Sequence, residues 1–470
     1  MTTTLIKNGT VISATGADKA EVLVDGETVV ALLSPGSALA MAAEGDAQII
    51  DASGRYVIPG GVDVHTHMSL VVAGTASSDT FETGTLAAAW GGTTTIVDFA
   101  TQEKGQDLRA CFDARMAEAD GECAIDYSFH MAVGDVNDTS LKEMDRLVDE
   151  GISSFKLYMA YPGAVMSDDA QILLAMQQAA GNGGLIMMHA ENGIAIDVLA
   201  AQAAERGDTA PVNHGLARRA ELETEATFRA IQLAKVGAAP LYVVHVSASG
   251  AMEQVAIARS KGANVFGETC PHYLYFNLED HLDQEGFEGA KYVCSTPLRT
   301  KHEHHQADLW TGLRTNDLSV VSTDHCPFCM KEQKELGLND FRAIPNGIGG
   351  VEHRMDMIYQ GVVQGEISLP RWVELCSTTP ARMMGLYPKK GVIQPGADAD
   401  IVIFNPNHEW TISVDNHHMN MDYSAYEGIT LPGKVETVLA RGQVIVDDGQ
   451  YSGRKGDGRF IARSLSSYLI

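Results

Sequence analysis

Basic residues are scarce in this chain. Against 61 Asp and Glu stand 34 Lys and Arg, for a formal net charge of -27 at pH 7. Such a surface argues against nucleic acid and anionic membranes as partners, and it favours solubility without bearing on fold. Long hydrophobic runs are missing as well. Nothing approaches the ~18 consecutive apolar residues that a membrane-spanning helix needs. The opening Met1-Thr2-Thr3-Thr4 lacks a secretory signal pattern, so a cytoplasmic location is expected. Disulfide chemistry is equally unsupported. The seven cysteines (Cys111, Cys123, Cys270, Cys294, Cys326, Cys329 and Cys376) are scattered, odd in number and mostly in apolar surroundings, which suits reduced thiols. Cys326-Pro-Phe-Cys329 has the spacing of a redox pair or half a zinc site, but no second pair and no thioredoxin-like context accompanies it. Internal repeats and low-complexity segments are also absent.

What is present describes a globular protein with a sizeable core. The 470 residues, 45% hydrophobic and 20% charged, suffice for one large domain plus a smaller one. Residues 5–58 read as short strands, with hairpin-type turns at Asn8-Gly9 and Asp25-Gly26. The far end is similar, with strand candidates at 400–404, 410–412 and 435–446, the last interrupted by Arg441-Gly442. Two β-rich ends around a different middle predict one small β-domain assembled from both termini. In the middle, apolar strand candidates at 61–67, 93–99, 125–132, 153–157, 184–189, 240–245, 264–268 and 318–323 alternate with helical stretches such as 168–180, 221–236 and 250–261. That alternation predicts an α/β fold, a (β/α)8 TIM-like barrel with its active site at the C-terminal ends of the strands. The division expected is 1–58 (β-domain, first part), 59–390 (barrel) and 391–470 (β-domain, second part, and tail). His302-Glu303-His304-His305 falls in a polar helical stretch and reads as a solvated face.

The chemistry starts at Val62-Asp63-Val64-His65-Thr66-His67, entered through Pro59-Gly60-Gly61. On a strand, residues two apart share a face, so His65 and His67 project side by side. Charged, they would repel; neutral and sharing a metal, they are stable neighbours. Alone, the pair equally fits one packed and one solvated histidine. The other strand ends decide. Strand four carries Lys156, strands five and six end at His189 and His245, and strand eight ends at Asp324. Four histidines, a lysine and an aspartate converging on one mouth are hard to explain as core packing, and they predict a metal site. Buried in an apolar barrel, Lys156 should become a neutral amine able to add carbon dioxide. The resulting carbamate could bridge two divalent ions, whose charge it would balance together with Asp324 and a bridging hydroxide.

On these residues the chain resembles the amidohydrolase superfamily, and within it the cyclic amidases of the dihydropyrimidinase and D-hydantoinase kind. The matching stretches run almost its whole length: 59–67, Phe81-Glu82-Thr83-Gly84-Thr85, 91–95, 154–161, His189-Ala190-Glu191-Asn192, 245–247, 268–273, 322–328 and Pro345-Asn346-Gly347-Ile348-Gly349-Gly350. The resemblance implies a barrel with a small β-sandwich, and two zinc ions bridged by N6-carboxylated Lys156 and hydroxide. One zinc would take His65, His67, Lys156 and Asp324; the other Lys156, His189 and His245. Tyr161 and the backbones of Ser295 and Asn346 would contact the substrate ring, with Tyr161 also bonding the oxyanion. Subunits of such proteins pack through their chain ends, so residues 451–470 are expected to serve a homotetramer or dimer.

The implied reaction is hydrolytic ring opening of a cyclic ureide, a dihydropyrimidine or 5-substituted hydantoin, to an N-carbamoyl amino acid. Metals roughly 3.5–4 Å apart would activate water and polarise the ring carbonyl. Asp324 would carry the proton to the leaving nitrogen. After His67 the chain reads Met68-Ser69-Leu70-Val71-Val72, without the Asp-Met-Pro-like stretch common in dihydropyrimidinases and without the arginine that dihydroorotases use for a substrate carboxylate. Leu70, Val72, Tyr158 and Val165 near the mouth suit an apolar or aromatic 5-substituent. Allantoinase or dihydroorotase activity, and a non-enzymatic role like that of the dihydropyrimidinase-like collapsin response mediator proteins, are the alternatives; the last lose their metal ligands, whereas all six stand here.

Overall fold

Eight of the apolar stretches form one parallel sheet in sequence order: β1 (Gly61–Thr66), β2 (Thr93–Thr101), β3 (Asp126–Ala132), β4 (Ser154–Tyr158), β5 (Leu185–His189), β6 (Leu241–Val243), β7 (Val265–Thr269) and β8 (Val320–Val321). The computed structural model describes residues 3–469; Met1, Thr2 and Ile470, at the ends of the two terminal stretches read above, lie outside them. Helices cover the outside of the sheet, so both faces of each strand are buried and the strand sequences run apolar without alternation. Helices Asp169–Asn182, Ala220–Gly237 and Ser249–Ser260 lie within two residues of the expected stretches. The first begins in a capping box: the Asp168 carboxylate accepts from Gln171 N (2.9 Å) and the Gln171 side chain answers at Asp168 N (3.1 Å). The expected eighth strand is shorter than 318–323, because beyond Val321 the chain turns inward to Asp324 at φ 49°.

The barrel is nearly closed. Hydrogen-bonded ladders join β1 through β8 in sequence, but the described residues do not continue the ladder from β8 to β1. There an isolated parallel bridge pairs Thr66 with His325, and the His67 N–H donates to the His325 carbonyl at 2.8 Å. Side chains reinforce this seam. Asp63 accepts from the Thr323 hydroxyl (2.6 Å), and the fully buried Arg354 donates to the carbonyls of Val62 (3.2 Å) and Val321 (3.0 Å).

The two chain ends meet in a pair of packed sheets. A seven-stranded sheet runs Gln450–Tyr451, Gln443–Asp447, Lys434–Ala440, Ile401–Asn405, Tyr56–Pro59, Thr10–Ser13, Gly16–Asp18. A four-stranded sheet from the N-terminal stretch covers it, with Ile6, Val22 and Val24 packed against Val57, Ile401 and Leu439. The Asp25-Gly26 hairpin forms as expected. The Asn8-Gly9 hairpin does not. Thr3–Lys7 pairs with Glu21–Asp25 and Gln48–Asp51, while Thr10–Ser13 enters the other sheet. Asn8, at φ 64° and bonded to Asp51 (2.8 Å), turns the chain between sheets, and a Cβ on Gly9 would stand 2.6 Å from Val57 Cγ2. Helix Ala38–Glu44, capped by Ser37, lies in a region read as strands.

Three carboxylates, Asp126 at the start of β3 with Asp398 and Asp400, lie close enough together to hold a cation. That cation is Lys390, whose Nζ stands 2.5, 2.9 and 2.8 Å from them, with Arg441 also on Asp126. The last described residues run along the N-terminal ends of the strands: Ile461 N–H donates to Tyr127 O (2.8 Å), Arg463 N–H to Gly151 O (2.9 Å), and the Tyr468 ring meets Phe266 at 5.5 Å. Among the described residues no helix is long and apolar enough to cross a membrane. In the 302–305 cluster His302 and His304 are exposed, but His305 is buried. Its Nδ1 takes the Ser249 N–H (3.1 Å), capping a helix whose own N-cap, Ala248, has no side-chain acceptor.

Candidate active site

All six expected ligands meet at the C-terminal mouth of the barrel. The Oδ1 of Asp324 lies 3.2 Å from His65 Nε2 and 3.1 Å from His67 Nε2. Lys156 Nζ stands 2.9 Å from His65 Nε2, and His189 Nδ1 stands 2.9 Å from His245 Nε2. The His65 and His245 rings are 5.4 Å apart, which links the two halves. His65, His67 and Asp324 each offer a ligand atom, all within 4.8 Å of one another.

Electrostatics say what such a group can hold. A carboxylate only accepts, so the proton of His65 sits on Nδ1, facing Glu268 Oε1 at 2.7 Å, and its Nε2 lone pair faces Asp324. Likewise His189 gives its Nε2 proton to Glu191 (2.8 Å) and turns the Nδ1 lone pair on His245. Lone pairs aimed at one another and at a carboxylate are repulsive unless a cation lies between them. The Nε2 atoms of His67 and His245, which face Asp324 and His189, complete a donor set that fits divalent metal. Burial pushes His65 and His245 well below the ordinary imidazole range and lowers His189, so all three are neutral donors near pH 7. Burial also brings Lys156 down to about 8, against the pull of Asp324 and Glu268. At Asp324 burial opposes ionisation, but the surrounding imidazoles of His65, His67 and His245, where they carry a proton, draw the carboxyl well below its ordinary value.

Behind the donors stand two carboxyl groups that the sequence reading did not assign. Glu268 also accepts from Tyr242 Oη (2.8 Å) and His245 N (3.1 Å), and burial lifts it to about 7. Burial works on Glu191 in the same direction, but Arg218 (2.6 Å) and His189 overcome it and hold this carboxyl low. Signals for both existed: Glu268 is a lone acid in the apolar run 265–269, and Glu191 follows His189 at same-face spacing. Such partners fix the tautomer and raise the basicity of ligating histidines. Tyr161, His245 and Asp324 adopt left-handed backbone at φ 65°, 41° and 49°. A non-glycine there costs roughly 1–3 kcal/mol and persists only where its surroundings enforce it.

The donors open into a cavity of about 990 Å³. Tyr161, Ser295 and Asn346 line it together, with the Tyr161 ring 5.3 Å from His189 and Asn346 Nδ2 bonded to Ser295 Oγ at 3.0 Å. Leu70, Val72, Tyr158 and Val165 face the same space, joined by Phe341 and Ile344. Two arginines also reach it. Arg218 is spent on Glu191, and Arg342 on Asp340 at 2.7 Å, so neither offers a free guanidinium to a substrate carboxylate.

Barrel and donor set together define a hydrolase of the amidohydrolase class. Residues 56–445 match the amidohydrolase family. A D-hydantoinase of Streptomyces coelicolor is 61% identical over 466 residues, 99% of each chain, and a D-hydantoinase of Ralstonia pickettii is 47% identical over 460 residues, 98% of each. The crystal structure of dihydropyrimidinase from Brevibacillus agri NCHU1002 superposes with a TM-score of 0.95 at 46% identity, covering 99% of both chains. The chain belongs to the amidohydrolase family, in its dihydropyrimidinase and D-hydantoinase branch.

Proposed function

We propose that this protein opens the ring of 5-substituted hydantoins and dihydropyrimidines, releasing N-carbamoyl amino acids, with the D-selectivity that its curated relatives' names carry. The observation that carries the reading is the convergence of His67, Lys156, His189, His245 and Asp324 on one cavity also lined by Leu70, Val72 and Tyr158, with His65 against Lys156 and Asp324. His65, His67, Lys156 and Asp324 would hold one zinc ion, and Lys156, His189 and His245 a second. When bound, the pair of ions makes water a stronger acid and polarises a carbonyl.

The protein's own groups do the rest. With its pKa drawn to about 8, Lys156 offers a neutral amine that adds carbon dioxide and loses one proton, giving an anionic carbamate. Asp324, ionised, takes a proton from the attacking water and delivers it to the ring nitrogen as the C–N bond breaks. Burial raises the Tyr161 hydroxyl above its ordinary value, so it stays protonated and donates to the developing oxyanion. Backbone groups of Ser295 and Asn346 hold the ring, while Leu70, Val72 and Tyr158 shield it from water and receive the 5-substituent. The same reading places the protein in the cytoplasm as a homotetramer or dimer. Exposed Ile194 and Val198, one helical turn apart, and exposed Phe228 support an assembly.

The test is elemental analysis of the purified protein, combined with assays on dihydrouracil and on both enantiomers of 5-phenylhydantoin. Two zinc ions per chain and faster opening of the D-hydantoin are expected. A metal-free protein that stays inert after zinc and bicarbonate are supplied overturns the reading.

A further inference from the structure

Lys334 lies behind the wall of the cavity, and no step above uses it. It is fully buried, at the start of the short helical turn Lys334–Gly337. Burial lowers its amine to about 7, so the ammonium is its form below that pH, and it forms no ion pair among the described residues. Instead it donates to three backbone carbonyls: Pro345 at 2.7 Å, Gly347 at 2.9 Å and Val293 at 3.0 Å. An ammonium has three N–H donors and no acceptor, so these contacts use its whole capacity. Two of the carbonyls bracket Asn346, and the third precedes Ser295 by two residues. Gly347 N–H also donates to Val293 O at 2.9 Å, so both backbone segments hang from one side chain.

Peptide geometry carries the consequence. The Pro345–Asn346 bond is not among the cis peptides, and in a trans unit the C=O and N–H point in opposite directions. With the Pro345 carbonyl aimed at Lys334, the Asn346 N–H is aimed away from Lys334, and Asn346 is a lining residue of the cavity. That N–H makes no hydrogen bond among the described residues. A cation on the carbonyl end of a peptide unit polarises it and strengthens the donor at the other end.

We propose that Lys334 is a positioning residue for substrate: it fixes the Ser295 and Asn346 backbones and presents the Asn346 N–H, polarised by its charge, to a ring carbonyl oxygen of the cyclic ureide. The inference rests on the reading of the site as a cyclic-ureide hydrolase. A contact of this kind binds ground state and transition state alike, so its loss appears in KM rather than kcat.

The experiment compares wild type with Lys334→Met, which removes all three donors, and Lys334→Gln, which keeps two without the charge. Metal content, KM and kcat on dihydrouracil and 5-phenylhydantoin, and inhibition by 2-imidazolidinone, a cyclic urea without a scissile carbonyl, are measured on each. For Lys334→Met the expected result is a rise of about tenfold in both KM values and in the inhibition constant, with kcat and metal content close to wild type. Lys334→Gln should show a smaller rise. A folded, metal-loaded variant with wild-type KM and inhibition constant overturns the proposal. Amide hydrogen exchange on wild type provides the arm that needs no variant: 2-imidazolidinone should protect the Asn346 amide, and an unprotected amide at saturation also overturns it. Wild type that opens neither ring defeats the underlying reading instead, whatever the variants do.

Discussion

Replacing Glu268 by glutamine isolates the charge behind His65 from its shape. The amide oxygen can still accept from His65 Nδ1 and His245 N, at the 2.7 and 3.1 Å now spanned by the carboxylate, and the amide nitrogen can meet Tyr242 Oη. Volume and hydrogen-bond count are preserved; the negative charge is not. Hydrogen bonds to charged groups contribute about 1.5–3 kcal/mol against about 1 kcal/mol for neutral ones, a difference of roughly 0.5–2 kcal/mol. That loss falls on the imidazole, whose Nε2 becomes a weaker donor to a cation, and it corresponds to about 2- to 30-fold in affinity. The 10- to 100-fold span typical of groups that support metal ligands overlaps this range. The assay equilibrates holoenzyme with graded chelator at about pH 8, above the value of about 7 to which burial lifts Glu268, so that the wild-type carboxyl is ionised. Retained zinc is then counted by elemental analysis. Glu268→Gln should lose half its metal at a free zinc concentration about tenfold higher than wild type. A midpoint unchanged within about twofold, in a variant that melts like wild type with excess zinc, would refute the claim that Glu268 tunes His65 by charge.

Three other outcomes follow from the structure. Leu70→Ala removes part of the apolar rim, and should lower kcat/KM for 5-phenylhydantoin about 5- to 10-fold, as expected for about 1 kcal/mol of lost burial, while dihydrouracil, which has no side group, changes little. Asp126 is buried, which opposes its charge, but Lys390 and Arg441 hold its carboxyl below the ordinary 3.8. A depressed carboxylate stabilises the fold above that value and loses the effect as pH falls through the lowered one. Asp126→Asn should therefore cost about 3–5 kcal/mol in urea unfolding at pH 7, and less as pH falls below the ordinary 3.8; a penalty that does not shrink with falling pH would contradict the assignment. Arg354→Met leaves the Val62 and Val321 carbonyls without their donor, and a drop of about 3 kcal/mol or more in unfolding free energy is expected, checked by chemical denaturation of the zinc-loaded protein.

How far the sequence reached depends on the range of the interaction concerned. The six donors were legible because each lies in, ends or follows an apolar strand, and a repeat of two residues sets which face it shows. The barrel followed from the same runs. Glu268 stayed silent because its partner His65 is 203 residues away: an acid in an apolar strand announces that it has a partner, not which one. His305 escaped for the same reason, since the helix end it caps lies elsewhere in the chain. At Asn8-Gly9 the local hairpin signature was satisfied by a turn that passes between two sheets, and tertiary pairing chose between them. Tyr161, Ser295 and Asn346 came from resemblance alone; they sit in loops, where no periodicity marks a residue that faces a ligand.

The break between β8 and β1 gives the mouth of the barrel a second meaning. His65 and His67 stand on one lip of that break and Asp324 on the other, so an ion held by all three is also a rivet across the joint where the ring of ladders is interrupted. Occupancy would then add to the Thr66–His325 bridge and the Asp63 and Arg354 bonds that span the joint, and a bound zinc ion would contribute to stability as RT ln(1 + [Zn]/Kd), rising with the free ion. Stripping the ion should therefore unzip the protein from this joint outward. The amides of His67 and Thr323 would begin to exchange while those of Phe155 and Leu157, held in continuous ladder on the opposite side of the ring, are still shut.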